Sequence, residues 1–371
     1  MKRSIYFIAA ALLLIGLAAL ISCEKEITPP EPVPPEEHLF YIGAFKGGLV
    51  KVFSVEQKKF VDSLICSNIP DTEKTTLNII GEDSLLAISY NRWTYLVDLK
   101  TKEVVNILNY SNMIVSPNSQ YFVAGNISSG NKRELRKFDG LEYVADIPGK
   151  YEKFGNNSEC VSYITYYSDS STISIYNIES DTTITRRKYS GGCEIWSAYT
   201  YPVKKLEKVF FGGGTSIYEC PYHSYALVSD FDSNTVQILK EFPLDIYIEP
   251  NTALPIISPD NKYLYFSVLL GTAWGGYPDR TIYVYNIESE DSVKTITLPQ
   301  GFVPSAYSMS YDGKYLTTKR FEESSSQINT GFCLIDVISG VVIGTYEFDG
   351  QMYNMAAKHN IKIGLIKNEV L

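Results

Sequence analysis

One phrase returns along the chain, and that recurrence narrows the possible folds more than any other feature. It reads "IVSPNSQYFVAG" from Ile114 to Gly125, "IISPDNKYLYFSV" from Ile256 to Val268 and "MSYDGKYLTTKR" from Met309 to Arg320. In each copy a short apolar run passes through a polar bend into an alternating aromatic run. Pro fixes one dihedral of such a bend, and Asp, Asn or Gly tolerates its tightness.

A second pattern usually follows the phrase: an alternating strand, a short polar turn and another alternating strand. It begins at Val50 ("VKVFSVEQKKFVDSL"), Thr94, Arg133, Ile173, Tyr225, Ile282 and Phe332. These starts lie 44, 39, 40, 52, 57 and 50 residues apart, near the ~40–45 residues of one four-stranded propeller blade. The phrase then marks a blade's inner hairpin, and the alternating pair marks its outer hairpin. The sequence predicts an all-β domain over residues 38–371, a seven-bladed β-propeller of four-stranded antiparallel blades. Later units carry insertions, and the units ending near Leu108 and Ile147 follow the pattern least closely. The 29 tyrosines and 5 methionines suit strands, where aromatic rings lie along half-buried neighbours.

The spelling of the phrase resembles the YVTN-type propeller repeat of bacterial surface and secreted proteins. It resembles more distantly the seven-bladed folds of quinoprotein amine dehydrogenase and seven-bladed lactonase. That resemblance speaks for architecture, since propellers host unrelated chemistries on one scaffold. A ring must also hide its strand edges. The tail "MYNMAAKHNIKIGLIKN" looks like an inner hairpin without its outer half, so Tyr353 to Ala357, and Lys362 to Ile366, are expected to complete the blade begun by Leu39 to Ala44.

The first residues read differently. "MKRSIYFIAAALLLIGLAALISC" places Lys2 and Arg3 before an apolar run and ends in a small residue and a cysteine, the layout of a secretory signal. "LISC" resembles the bacterial lipobox, which implies cleavage after residue 22 and diacylglycerol on Cys23. An uncleaved membrane anchor is the alternative reading. Residues 23–37, rich in Pro and Glu, should form an extended tether, and the "EKE" at its start resembles lipoprotein export signals of Bacteroidetes. The localisation expected is the cell envelope, lipid-anchored at the outer membrane on its periplasmic or surface face. "DSL" at Asp62 and Asp83, "DTT" at Asp181 and "DSV" at Asp291 resemble the O-glycosylation motif of exported proteins of that lineage, although Asp-Ser is also ordinary turn chemistry.

Loss of Lys2 and Arg3 would take the net charge from −9 to about −11. Nucleic acid is therefore a poor partner, because phosphates require clustered Lys and Arg. The runs "TRRK" at Thr185 and "VKK" at Val203 read as solvated strand or turn faces. A monomeric propeller is expected.

Three long insertions, Gly212–His223, Leu269–Thr281 and Arg320–Gly331, fall between the second and third strands of blades 5, 6 and 7. They should crowd one face at the channel mouth. Trp274, Tyr277, Tyr218 and Tyr222 offer flat apolar surfaces there, and Arg280 and Arg320 offer planar donors. Trp274 and Tyr277 could equally fold back over the blade tops. Arg92 and Trp93 sit in a tight loop on the same face, with Trp93 either displayed or packed between blades.

Catalytic signals are sparse. His38 ends the tether, His359 lies in the turn "KHN", and His223 alone falls in a face loop without a Cys or carboxylate at ligand spacing. "GGGTS" at Gly212 lacks the Lys-Ser/Thr of a phosphate-cradling loop, and there is no Gly-x-Ser-x-Gly elbow. No metal or cofactor is expected. Cys66, Cys160, Cys193, Cys220 and Cys333 are scattered, reading as buried small hydrophobes, with Cys193 and either Cys220 or Cys160 the pairings to examine. The function expected is a non-catalytic binding or interaction module for a glycan, peptide or protein partner. The alternatives are a lactonase-like hydrolase or lyase and a structural subunit of an envelope complex.

Overall fold

The computed structural model describes residues 37–44, 48–67, 69, 75–80, 84–126, 132–155, 158–166, 170–190, 197–203, 208–213, 225–230, 235–240, 256–270, 277–289, 291–320, 331–348 and 352–357. Residues 38–371 form one compact unit, separate from residues 1–37. The expected lipidation residue Cys23, together with Trp274, Tyr218, Tyr222, His223 and Lys362 to Ile366, lies outside the described residues. Among the described residues no helix is long and apolar enough to cross a membrane.

The strands run in chain order as β1 (Leu39–Ala44), β2 (Leu49–Ser54) and β3 (Lys59–Ile65), followed by successive groups of four. The second sheet holds β4 (Thr75–Ile80), β5 (Leu85–Tyr90), β6 (Trp93–Asp98) and β7 (Val104–Leu108), and the third holds β8 (Tyr110–Val115), β9 (Tyr121–Asn126), β10 (Lys132–Lys137) and β11 (Tyr143–Asp146). The fourth holds β12 (Lys150–Phe154), β13 (Cys160–Tyr166), β14 (Ser170–Asn177) and β15 (Thr182–Ser190), and the fifth β16 (Ser197–Val203), β17 (Lys208–Gly213), β18 (Tyr225–Asp230) and β19 (Thr235–Lys240). The sixth comprises β20 (Ile256–Ile257), β21 (Tyr263–Leu270), β22 (Tyr277–Asn286) and β23 (Asp291–Thr297). The seventh comprises β24 (Phe302–Met309), β25 (Tyr315–Arg320), β26 (Gly331–Asp336) and β27 (Val341–Glu347). The last strand, β28 (Met352–Ala357), returns to pair with β1, so the first sheet has the order β28-β1-β2-β3. Every described pairing is antiparallel and each of these sheets has four strands, the pattern of propeller blades.

The expected outer hairpins are present at all seven positions, as β2–β3, β6–β7, β10–β11, β14–β15, β18–β19, β22–β23 and β26–β27. The recurring phrase forms β8–β9, β20–β21 and β24–β25. The expected closure also holds for the described part of the tail: Phe40 lies opposite Ala357 and Ile42 opposite Met355.

Strand alternation builds the core between sheets, because successive side chains point to opposite faces and both faces are covered. In β1, Phe40 and Ile42 face the seventh sheet and meet Phe332 and Leu334, whereas Tyr41 turns to Leu77 and Leu86 of the second sheet. In β9, Phe122 and Ala124 face Ile80 and Ala87, while Val123 faces Phe154 and Val161. Aromatic edges seal the seam of the first and seventh sheets: Phe53 packs against Phe332 at 5.0 Å and 89°, and against Tyr346 at 4.4 Å. Such pairs add about 0.5–1.5 kcal/mol beyond area burial.

The outermost strands differ. Val105 and Ile107 of β7 and Val293 of β23 are exposed, as are the basic residue Lys59 and the acidic residue Asp62 of β3. We predict that Phe53→Ala lowers stability by about 3–5 kcal/mol in urea unfolding. Val105→Ala should stay within about 0.5 kcal/mol.

Candidate functional site

The recurring phrase builds one face of the domain from side chains as well as backbone. In the third sheet Ser116 Oγ donates to Asn118 Oδ1 at 2.8 Å and accepts from Tyr121 N at 2.9 Å. Ser258 repeats this with Asp260 at 2.5 Å and Tyr263 N at 2.9 Å, and Ser310 with Asp312 at 2.8 Å and Tyr315 N at 2.9 Å. The amide two residues past each Asp or Asn donates back to its Oδ1, from Gln120, Lys262 and Lys314. With the phrase numbered from its serine, positive φ falls at the fourth position, on Ser119 (56°), Asn261 (60°) and Gly313 (72°). Gly313 has a further reason for lacking a side chain, since a Cβ there would stand 3.2 Å from Pro259 Cδ in the neighbouring turn.

These turns are tied to the blade's outer half. The residue before the second strand of a blade accepts a backbone hydrogen bond from the residue just past the third strand: Gln120 from Phe138, Lys262 from Ile287 and Lys314 from Val337. In the first sheet the acceptor is His38, which receives Val55 N at 3.0 Å. His38 therefore holds the fifth position of the phrase in a blade whose innermost strand, β28, arrives from the far end of the chain. "HLFYIGA" aligns with "KYLYFSV" and "QYFVAGN", a signal that reading His38 as the end of the tether missed.

With no covalent turn to complete it, this corner is closed by side chains. His38 Nδ1 lies 2.6 Å from Glu56 Oε1, and its Nε2 lies 3.0 Å from Asp312 Oδ2. Its amide donates to Glu56 Oε2 at 3.0 Å. The ring stacks on Tyr311 at 5.5 Å and meets Tyr315 edge-on at 4.9 Å. Burial raises the Asp312 carboxyl, but hydrogen bonds from Lys314, His38 and Ser310 outweigh it and hold that carboxyl well below the usual carboxylate range. Burial, with the nearby Glu56, Asp336 and Asp312 charges, pushes the Tyr315 phenol up. Both imidazole nitrogens are committed to carboxylates, so His38 is placed to join elements and not to shuttle a substrate proton.

Asp312 also borders a cavity of about 530 Å³ between the sixth and seventh sheets. Tyr263, Tyr265, Val284, Lys294, Lys314 and Val337 contribute to its wall. Lys294 Nζ donates across the gap to the carbonyls of Val337 at 2.6 Å and Ile338 at 2.8 Å. Burial pushes the Tyr265 phenol up, assisted by the charge of Asp260.

The opposite face carries the connections between second and third strands. Arg92 and Trp93 lie there at the β5–β6 turn, with Tyr90 paired to Trp93. Trp93 is 43% exposed, so it is displayed and does not pack between sheets. Arg280 is exposed in β22, with Tyr277 at the start of that strand and Arg320 at the end of β25. The expected insertions occupy the intervals β17–β18, β21–β22 and β25–β26. The middle one is partly strand, because Leu269 pairs with Pro278 and Leu270 with Tyr277. Arg280 and Arg320 thus share a face on neighbouring sheets, while Arg92 stands in the second sheet, with the first between it and the seventh.

The same face has an ion pair that sequence reading did not single out. Arg133 Nε and Nη2 bond Glu152 Oε1 and Oε2 at 2.7 and 3.0 Å, and Nη1 bonds the Asn112 carbonyl at 3.0 Å. Both side chains are largely buried between the third and fourth sheets. On the other side of β10, buried Glu134 binds Arg136 and Asn126.

Cys66, Cys160 and Cys333 are buried thiols outside any disulfide, so Cys160 does not form the pairing considered with Cys193; Cys193 and Cys220 lie outside the described residues. Burial pushes the Cys160 thiol up to about 12 and the Cys333 thiol up to about 11. Among the described residues no cluster of His, Cys, Asp or Glu could hold a metal. We predict that Glu152→Ala costs about 3–5 kcal/mol in urea unfolding by leaving a buried guanidinium without its partner. Cys160 and Cys333 should resist thiol reagents in the native protein at pH 8 and react once urea unfolds it, as mass spectrometry of labelled peptides would show.

No family model matches the sequence, and none of the curated proteins matches it. Solved structures do resemble the fold. Dihydro-heme d1 dehydrogenase NirN in complex with DHE superposes with a TM-score of 0.56 at 12% identity, covering 87% of this chain and 75% of that one. A functionally unknown protein from Desulfotomaculum acetoxidans DSM 771 gives 0.55 at 13% identity, covering 86% and 99%. Kuenenia stuttgartiensis hydrazine synthase gives 0.53 at 13% identity, covering 83% and 92%. At such identities the likeness is one of fold, and the fold is that of a β-propeller.

Proposed function

We propose that this chain is a lipid-anchored envelope protein, held at the outer membrane through Cys23, whose propeller is a non-catalytic binding module for a glycan, peptide or protein partner. The described sheets are read as seven blades of one ring, with the fifth and sixth adjoining to complete it. Contacts between β28 and β4, β4 and β8, β8 and β12, β12 and β16, β22 and β24, and β24 and β28 support that order. The YVTN-type resemblance and the lipobox spelling support the envelope assignment.

One observation carries the binding reading: inside each of three consecutive sheets, the fifth to the seventh, the widest interval falls between the second and third strands. Loops displayed side by side from a rigid scaffold are a common way to build a recognition surface. Trp274, Tyr277, Tyr218 and Tyr222 supply aromatic area in this proposal, and Arg280 and Arg320 supply donors. Arg92 and Trp93 lie apart from that group and would contact only an extended partner.

The cavity between the sixth and seventh sheets supports a second reading, a small-molecule site on the opposite face. Its size falls within the range of ligand pockets, about 300–1,000 Å³. Thermal unfolding of the full chain against oligosaccharides, peptides, lactones and divalent metals separates the two. A ligand at 100 times its Kd adds about 2.7 kcal/mol. A stabilisation that is lost in Trp274→Ala and kept in Val293→Trp, a substitution in the cavity wall, places the ligand on the loop face. The reverse result places it in the cavity. A panel without any shift overturns the small-ligand forms of the proposal and directs the search to envelope proteins.

A further inference from the structure

We propose that the seam between the seventh and first sheets is a proton-dependent clasp, in which His38 joins Glu56 to Asp312 fully only when both of its ring nitrogens carry hydrogen. Ionised carboxylates only accept, and a neutral imidazole offers one N–H and one lone pair. With carboxylate oxygens 2.6 Å from Nδ1 and 3.0 Å from Nε2, a neutral ring turns a lone pair towards one of them. The doubly protonated ring donates to both, through charge-assisted hydrogen bonds of about twice ordinary strength.

The surroundings fit this reading. Glu56 comes from the β2–β3 turn, Asp312, Lys314 and Tyr311 from the β24–β25 turn, Tyr315 from β25, and Asp336 from the end of β26. Lys314 Nζ shares Asp312 Oδ2 with the histidine at 2.7 Å and opposes a second cation there. Asp312 and Glu56, both in direct contact with the ring, favour it. The ring is 8% exposed, so water replaces little of what the carboxylates provide.

The sign follows from linkage. A closed seam that retains a proton which an opened seam releases to water tightens as pH falls. Asp312 keeps its charge well into acid. Its depressed carboxyl contributes stability that is present above the ordinary value of about 3.9 and is lost only as pH falls through the depressed one. The clasp therefore holds through mildly acidic conditions and loosens towards alkaline ones.

The test is amide hydrogen exchange of the full chain in mild detergent at pH 5.5 and 8.5, corrected for intrinsic exchange, followed in peptides covering β1 and β28. Exchange there should be on the order of tenfold slower at pH 5.5, with no such difference in β9 and β10. His38→Gln should abolish the difference at the seam. If that variant does not fold, Glu56→Gln takes its place and should reduce the difference. Equal seam exchange at the two pH values, or an undiminished difference in the variant that folds, overturns the proposal.

Discussion

The pairing of β28 with β1 is the constraint on which the rest of this domain depends. Each other sheet is assembled from strands that follow one another in the chain, and a local turn fixes its register. The first sheet draws its innermost strand from the opposite end of the domain, setting Phe40 against Ala357 and Ile42 against Met355. Without it the inner edge of β1 would present unpaired amides and carbonyls, and Phe40, Ile42 and Phe53 would lose Met355 as a neighbour in their cluster. The aromatic packing of Phe53, Phe332 and Tyr346 and the carboxylates around His38 gather at this one place, where the covalent chain contributes least.

The two faces of the domain are built on different principles. On the phrase-turn face Ser, Asp and Asn side chains occupy one another and the local amides, and Asp312 reaches His38 as well. The opposite face is supplied by connections of varying length, and polar groups reach between sheets there, as Arg133 does to Glu152. Variation in length is therefore concentrated on one side of a scaffold whose other side is held to a fixed geometry.

Much of this organisation could be read from the sequence, for physical reasons. Strands buried on both faces, such as "YFVAG" and "FCLID", read as short continuous apolar runs, and a tight turn requires particular residues. His38 was hidden because it follows a Pro/Glu segment and acquires its neighbours only when β28 and Asp312 arrive from elsewhere. "KRELRK" hides its pairing for another reason. Its charges suggest an exposed strand, yet Arg133 and Glu134 lie on opposite sides of β10, each paired with a partner that sequence spacing does not announce. Of the residues expected on the recognition face, Arg92 and Arg280 are exposed, Trp93 takes the displayed one of its two readings, and the loop aromatics Trp274, Tyr218 and Tyr222 are not among those described.

The composite first sheet also bears on how the chain is made. Synthesis runs from the N-terminus, so "LFYIGA" emerges early and finds its inner neighbour only after the six other sheets have been produced. Contacts this remote in sequence carry a loop-closure cost before they give any return, and they slow folding. Throughout that interval an apolar strand has one open edge, the kind of template on which copies of a chain associate. Until β28 has been made, the inner edge of β1 stays without its partner strand, so the order of synthesis leaves that one edge to be covered last.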